Sequence, residues 1–151
     1  MAQKSNESNF KVIIVGGSVA GLTLANALSR YNIDFLVLES RAEVSPPLGA
    51  AVAHLNSYGY PIGWIERRRL LQILFDHICE KEKVLLRKKF IGAEHSAEGI
   101  IVHCSDGSSF KGTIIIGADG VHSTVRSSMW SHMKDDGLEA ILSKDATGML
   151  M

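Results

Sequence analysis

The apolar positions of this chain change period several times, and each change marks an element. Lys11–Val15 is a short, continuous, β-branched run, the pattern of a central parallel strand buried on both faces. Ser18–Arg30 then shifts to helical spacing, with Leu22, Ala25 and Leu28 among its inward candidates. Tyr31-Asn32 reads as a turn and Phe35–Glu39 as a second strand, completing a βαβ-type unit of about 30 residues. Ser45-Pro46-Pro47-Leu48-Gly49 breaks the pattern as a loop, and Ala50–Pro61 has no clear period. Trp64–Glu80 is expected to be helical, with Leu70, Leu71, Ile73, Leu74, Phe75 and Ile78 on a broad apolar face. Val84–Leu86 is a short strand, and Phe90–His95 and Ile100–Cys104 alternate as antiparallel strands do. Ser105-Asp106-Gly107 signals a hairpin turn. Thr113–Gly117 is expected to be another buried strand, and Ser123–Trp130 starts a helix. The segment from Met133 to Met151 is polar and weakly helical, and there is no internal repeat or low-complexity tract.

Composition narrows the class without choosing a function. The 151 residues suit one ordinary domain with an ordinary core. Formal net charge is zero, which argues against a nucleic-acid partner. The basic runs Glu66-Arg67-Arg68-Arg69 and Arg87-Lys88-Lys89 read first as solvated faces. Cys79 and Cys104 are far apart with no paired spacing, so neither a disulfide framework nor a zinc site is expected, and no metal is assigned. Met1–Asn9 is polar, reads as a disordered lead-in and lacks a signal peptide's apolar stretch. No apolar run approaches the ~20 residues that span a bilayer. The expectation is a cytoplasmic, reducing setting. The six histidines are scattered without an acid at a spacing that suggests a base, so no catalytic residue is assigned.

The chemistry concentrates after the first strand. Gly16-Gly17-Ser18-Val19-Ala20-Gly21 has the G-x-G-x-x-G spacing, with Ser18 in the second glycine's place. Gly16 permits the tight turn, a small residue at 18 permits close backbone approach to a pyrophosphate, and Gly21 permits close helix–strand packing. The helix start offers N–H groups and positive dipole to the anion. The second strand ends at Glu39, where a carboxylate can accept ribose hydroxyls. An acid there repels a phosphate on the same ribose, so this loop calls for NAD or FAD rather than NADP and does not separate the two.

A second motif separates them. Gly117-Ala118-Asp119-Gly120-Val121-His122-Ser123-Thr124-Val125-Arg126, after Ile114-Ile115-Ile116, resembles the Asp-Gly motif of flavoprotein monooxygenases of the aromatic-hydroxylase-like class. Asp119, Gly120, Ser123 and Arg126 match its key positions. The segment Gly59–Leu74 is similar to that class's arginine-bearing helix start, which makes Arg67 the flavin-contacting arginine, and Gly49 and Ala50 match small residues that pass near the flavin. The wording of the motifs is most similar to fungal FAD-dependent monooxygenases of secondary metabolism, including epoxidases of prenylated indole-diterpene or meroterpenoid precursors.

The resemblance implies an α/β, Rossmann-like FAD-binding domain of the glutathione-reductase type with a small antiparallel β insert. It implies FAD at Gly16, Gly17, Ser18, Ala20, Gly21, Glu39, Gly49, Ala50, Arg67, Asp119, Gly120 and Arg126. It also implies NAD(P)H as reductant, O₂ as co-substrate and a small hydrophobic substrate. Residues 10–130 would form the FAD-binding domain, shortened near 51–60, and 131–151 the polar, truncated start of a substrate-domain region. The family's third motif and substrate sheet have no counterpart here, so the fold is expected to be incomplete relative to the family. Uncovered apolar edges would then make the chain dependent on a protein partner. Two alternatives remain at this stage: a truncated, catalytically inactive flavin-binding remnant, and an NAD-dependent dehydrogenase domain. Membrane association of full-length relatives is left open.

Overall fold

A computed structural model describes residues 10–44, 51–53, 63–96 and 99–135. Its centre is a four-stranded parallel sheet in the order β5-β2-β1-β9, built from β1 (Lys11–Val15), β2 (Asp34–Leu38), β5 (Val84–Leu85) and β9 (Ile114–Gly117). Helix α1 (Val19–Arg30) connects β1 to β2, as the sequence pattern required. Strand β1 lies between β2 and β9, with Ile13 opposite both Leu36 and Ile115.

The continuous apolar run of β1 is explained by layers on both faces. Val12 and Ile14 face α1 and α2 (Arg67–Asp76), in a core with Leu22, Phe35, Leu71 and Ile78. Ile13 and Val15 face the opposite layer, with Leu38, Phe90, Val102 and Val125. That layer is an antiparallel meander, β6 (Phe90–Ser96), β7 (Gly99–Cys104) and β8 (Ser109–Gly112), together with helix α3 (Thr124–Asp135). The period of two in a strand sends neighbouring side chains to opposite faces, and here both faces are dry. Asn26 joins the helical layer by donating to the carbonyls of Leu22 and Leu74, both at 2.8 Å.

Several elements differ from the sequence expectation. Trp64 and Ile65 are not helical: Gly63–Ile65 forms β4, paired antiparallel with β3 (Ala51–Ala53) inside the segment that showed no period. Glu66, extended at φ −64° and ψ 135°, separates that strand from α2. The helix also ends early, at Asp76, because Ile78 turns into the core and a short 3₁₀ turn, Lys81–Lys83, redirects the chain into β5. Strand β8 is an addition, formed when the Ser105–Gly107 turn, with Gly107 at φ +82°, returns the chain along β7. Strand β9 is less buried than its Ile-Ile-Ile run suggests, with Ile114 45% exposed. It pairs with β1 alone, and no strand among the described residues covers its other edge. The lead-in, the Pro-Pro loop with Gly49 and Ala50, and the segment after 135 lie outside the described residues.

Candidate functional site

The parallel strands end together at one side of the sheet. There, chain connections leave β1 toward β2 on one side and β9 lies on the other, the switch point at which open α/β sheets bind ligands. A cleft of about 940 Å³ occupies this position, walled by the glycine loop, Glu39–Arg41, Arg67, Lys88–Phe90 and Gly117–His122.

The glycine loop is built by backbone proximity. Gly16 has φ +109°, and a Cβ there would lie 2.5 Å from the Ala118 carbonyl oxygen. A Cβ on Gly21 would lie 2.0 Å from the Gly16 carbonyl oxygen, so α1 can start against the loop only without one. Ser18 is the N-cap of α1: its hydroxyl accepts from Gly21 N–H at 3.2 Å and donates to the Ala118 carbonyl at 2.9 Å. The cap satisfies the third helical amide, while those of Val19 and Ala20 have no acceptor within the helix. Ala20 lines the cleft.

Glu39 is locked at the end of β2. Its Oε2 accepts from Gly17 N–H at 2.7 Å, and its Oε1 accepts from Arg41 N–H at 2.8 Å and from the Ser40 hydroxyl at 3.2 Å. A carboxylate oxygen has two acceptor directions, so the orientation fixed by the backbone leaves capacity for ribose hydroxyls. The acid therefore closes the glycine loop as well as facing the cleft.

Asp119 lines the cleft and also caps the helix that follows it. Its carboxylate accepts from Ser123 Oγ at 2.6 Å, Thr124 N–H at 2.7 Å and Val125 N–H at 3.2 Å. Ser123 Oγ in turn accepts from Arg126 N–H at 3.0 Å. All three opening amides of α3 are thus satisfied by the chain's own side chains, and this helix start has no donor to spare for an anion. The starts of α1 and α3 differ for that reason: α1 keeps two amides for a ligand and α3 keeps none. Arg126 stays exposed and does not line the cleft, donating to the Val121 carbonyl and lying 5.6 Å over the Trp130 ring. Gly120, at φ +89°, lines the cleft.

Arg67 lines the cleft as the first residue of α2, while Arg68 and Arg69 are exposed, as a solvated face would be. Lys88 and Lys89, read from sequence as solvated, both line the cleft, Lys89 exposed and Lys88 half-buried. Lys88 is held there by Asp106 and Ser108 and lies 5.6 Å over the Phe110 ring. The Lys88 ammonium, with the Ser108 hydroxyl and amide, holds the Asp106 carboxyl well below the usual carboxylate range. Sequence spacing could not find Lys88, because the hairpin that positions it contacts it only in three dimensions.

One histidine does meet an acid, against the sequence expectation. His103 Nε2 lies 3.3 Å from Glu94 Oε1 across the β6–β7 pair, and its Nδ1 is 2.9 Å from Ser109 Oγ. The group sits on the meander and does not line the cleft. Among the described residues no cluster of three or more His, Cys, Asp or Glu could hold a metal, and no helix is long and apolar enough to cross a membrane.

A parallel sheet, a glycine turn with open helix amides and an acid at the next strand end together define a Rossmann-like dinucleotide-binding fold. Residues 14–68 match the family described as NAD(P)-binding Rossmann-like domain. Over most of its length the chain is a homologue of fungal FAD-dependent monooxygenases. It is 41% identical to FAD-dependent monooxygenase BOA8 of Botryotinia fuckeliana, over 91% of this chain and 20% of that protein. It is 37% identical to FAD-dependent monooxygenase olcE of Penicillium canescens, over 81% of this chain and 36% of that protein. The chain therefore spans about a fifth and about a third of these relatives. Klebsiella pneumoniae HpxO, solved in complex with FAD and uric acid, shares the fold with a TM-score of 0.64 at 24% identity, covering 78% of this chain and 41% of HpxO.

Proposed function

We propose that this chain is the FAD-gripping portion of an FAD-dependent monooxygenase that acts on a small hydrophobic metabolite in a fungal biosynthetic pathway. The carrying observation is the convergence of the α1 start, Glu39 and the Gly117–His122 turn on one cleft at the sheet's switch point. The relatives' shared description as FAD-dependent monooxygenases supports the choice of FAD over NAD as the resident dinucleotide.

In this reading Gly16, Gly17, Ser18, Ala20 and Gly21 form the pyrophosphate turn, with the amides of Val19 and Ala20 as donors. Glu39 accepts ribose hydroxyls. Arg67 supplies a guanidinium, whose planar fork suits phosphate or ribityl oxygens. Gly120 contributes a wall without a side chain, while Asp119 and Arg126 hold that wall in shape. Gly49 and Ala50 keep their assignment from sequence. The bound flavin would supply the redox and oxygen-activating chemistry, with NAD(P)H as electron donor and O₂ as oxidant. The chain's own part is to bind, orient and shield. Residues 10–130 form the FAD-binding domain in this proposal.

Titration of the purified protein with FAD tests it. Saturable quenching of flavin fluorescence and a thermal shift with FAD are expected, and NAD(P)H-dependent oxygen consumption would extend the reading to activity. Tight NAD binding with no FAD uptake would overturn it in favour of a dehydrogenase domain.

A further inference from the structure

We infer that Ser18 is a positioning residue whose hydroxyl latches the glycine loop to the Asp119 turn, so that the two walls of the cleft behave as one body. The inference rests on the dinucleotide reading above and goes beyond a small residue that merely lets phosphate approach.

The geometry carries it. A hydroxyl has one proton to give, and that of Ser18 goes to the Ala118 carbonyl, 100 positions away in sequence. A lone pair is committed to Gly21 N–H. The hydroxyl thus has no proton left to give a phosphate, and donors to a ligand come from the backbone beside it. Ala118 is held from both sides, because its N–H donates to the Val15 carbonyl at 2.7 Å while its C=O accepts from Ser18. The contact surface is already tight: a Cβ on Gly16 would meet Ala118 O at 2.5 Å, and one on Gly21 would meet Ala118 Cβ at 3.4 Å. Glycines allow the walls to touch, but they offer no group to fasten them. Ser18 is the side chain that does. From Ala118 the constraint passes along a single residue to Asp119, whose carboxylate sets the start of α3. A ligand seated on α1 therefore meets a second wall already in register. Pre-ordering of this kind raises affinity without adding a contact to the ligand.

Three variants of the full chain separate this from a general packing role. Ser18→Ala removes the hydroxyl, and Ser18→Gly removes it while restoring the glycine spacing. Ser18→Thr keeps it, on an extended backbone (φ −79°, ψ 177°) that suits a β-branched residue. Amide exchange followed by NMR without ligand should quicken about two- to tenfold at Thr124 and Val125 in the Ala and Gly variants, the loss of about one net hydrogen bond. The β1–β2 amides should be unchanged and the Thr variant should match the parent. FAD affinity should fall by a similar factor in the Ala and Gly variants. FAD should also slow exchange on both loops in the parent but on the glycine loop alone in the Ala variant. Unchanged exchange at Thr124 and Val125, or equal quickening of the loops and the β1–β2 core, would overturn the latch. A parent protein that takes up no FAD would overturn the function proposed above, and the ligand-free exchange would still decide the role of Ser18.

Discussion

Replacing Asp119 separates an acid that touches the nucleotide from one that builds the wall beside it. In the structure its two oxygens accept three hydrogen bonds, two of them from the opening amides of α3. Asp119→Ala leaves those amides without a side-chain acceptor. Loss of a helix cap costs about 0.5–2 kcal/mol, and hydrogen bonds to a charged acceptor are worth about 1.5–3 kcal/mol, with overlap between the two figures. Val125, one of the donors, is 4% exposed and packs against the sheet, so fraying of this turn would also loosen the core. The combined cost is about 2–3 kcal/mol, or roughly 5–10 °C in Tm for a chain of this size. Asp119→Asn keeps one acceptor oxygen and should lose about half as much. Thermal unfolding followed by circular dichroism, without FAD, measures both. A fall of less than about 2 °C for the Ala variant, alongside lost FAD binding, would refute the capping role and restore Asp119 as a direct ligand contact.

Other perturbations test neighbouring parts of the argument. Gly21→Ala drives a Cβ to 2.0 Å from the Gly16 carbonyl and should cost about 3 kcal/mol in urea unfolding, with FAD binding lost together with it. The Arg67 side chain faces the cleft, and its guanidinium makes no hydrogen bond or ion pair among the described residues, so Arg67→Ala should weaken FAD at least about tenfold by titration while the ligand-free Tm moves by less than about 1 °C. Asp34 receives Lys83 at 2.8 Å and Lys11 at 3.1 Å. Burial works against its charge, but hydrogen bonds from Lys83 and Lys11 outweigh that and lower its pKa. A lowered carboxyl stabilises the fold above the ordinary carboxylate range and stops doing so as pH falls through its folded value. The parent should therefore melt above Asp34→Asn at pH 7, by no more than about 1 kcal/mol for so exposed a pair, and the gap should shrink below about pH 4. A gap that stays constant from neutral to acid pH would exclude the ion pair as its source.

How far the sequence could be read depended on whether a feature was local. The β1–α1–β2 unit was legible to within a residue, because strand and helix periods, the glycine turn and the acid all lie within thirty positions. The α2 boundary was not, since Trp64 and Ile65 carry helix-compatible residues yet are claimed by pairing with Ala51–Ala53. Strand β9 looked buried because Ile-Ile-Ile is apolar, but burial depends on neighbours, and its outer edge has none among the described residues. Lys88 looked like part of a charged surface, and only the β7–β8 hairpin, through Asp106 and Ser108, turns it onto the cleft.

The chain by itself determined the dinucleotide-binding class. Gly16, Ser18, Gly21 and Glu39 are a local pattern that, set between a strand, a helix and a second strand, points to a dinucleotide, and the Asp119 motif pointed to its family. Tertiary structure decided what those residues do with their hydrogen bonds. It gave the Asp119 carboxylate to α3, the Glu39 carboxylate partly to Gly17 and Arg41, and the Ser18 hydroxyl to Ala118. A hydrogen bond has an acceptor at about 3 Å, and no spacing rule predicts which residue a hundred positions away will stand there.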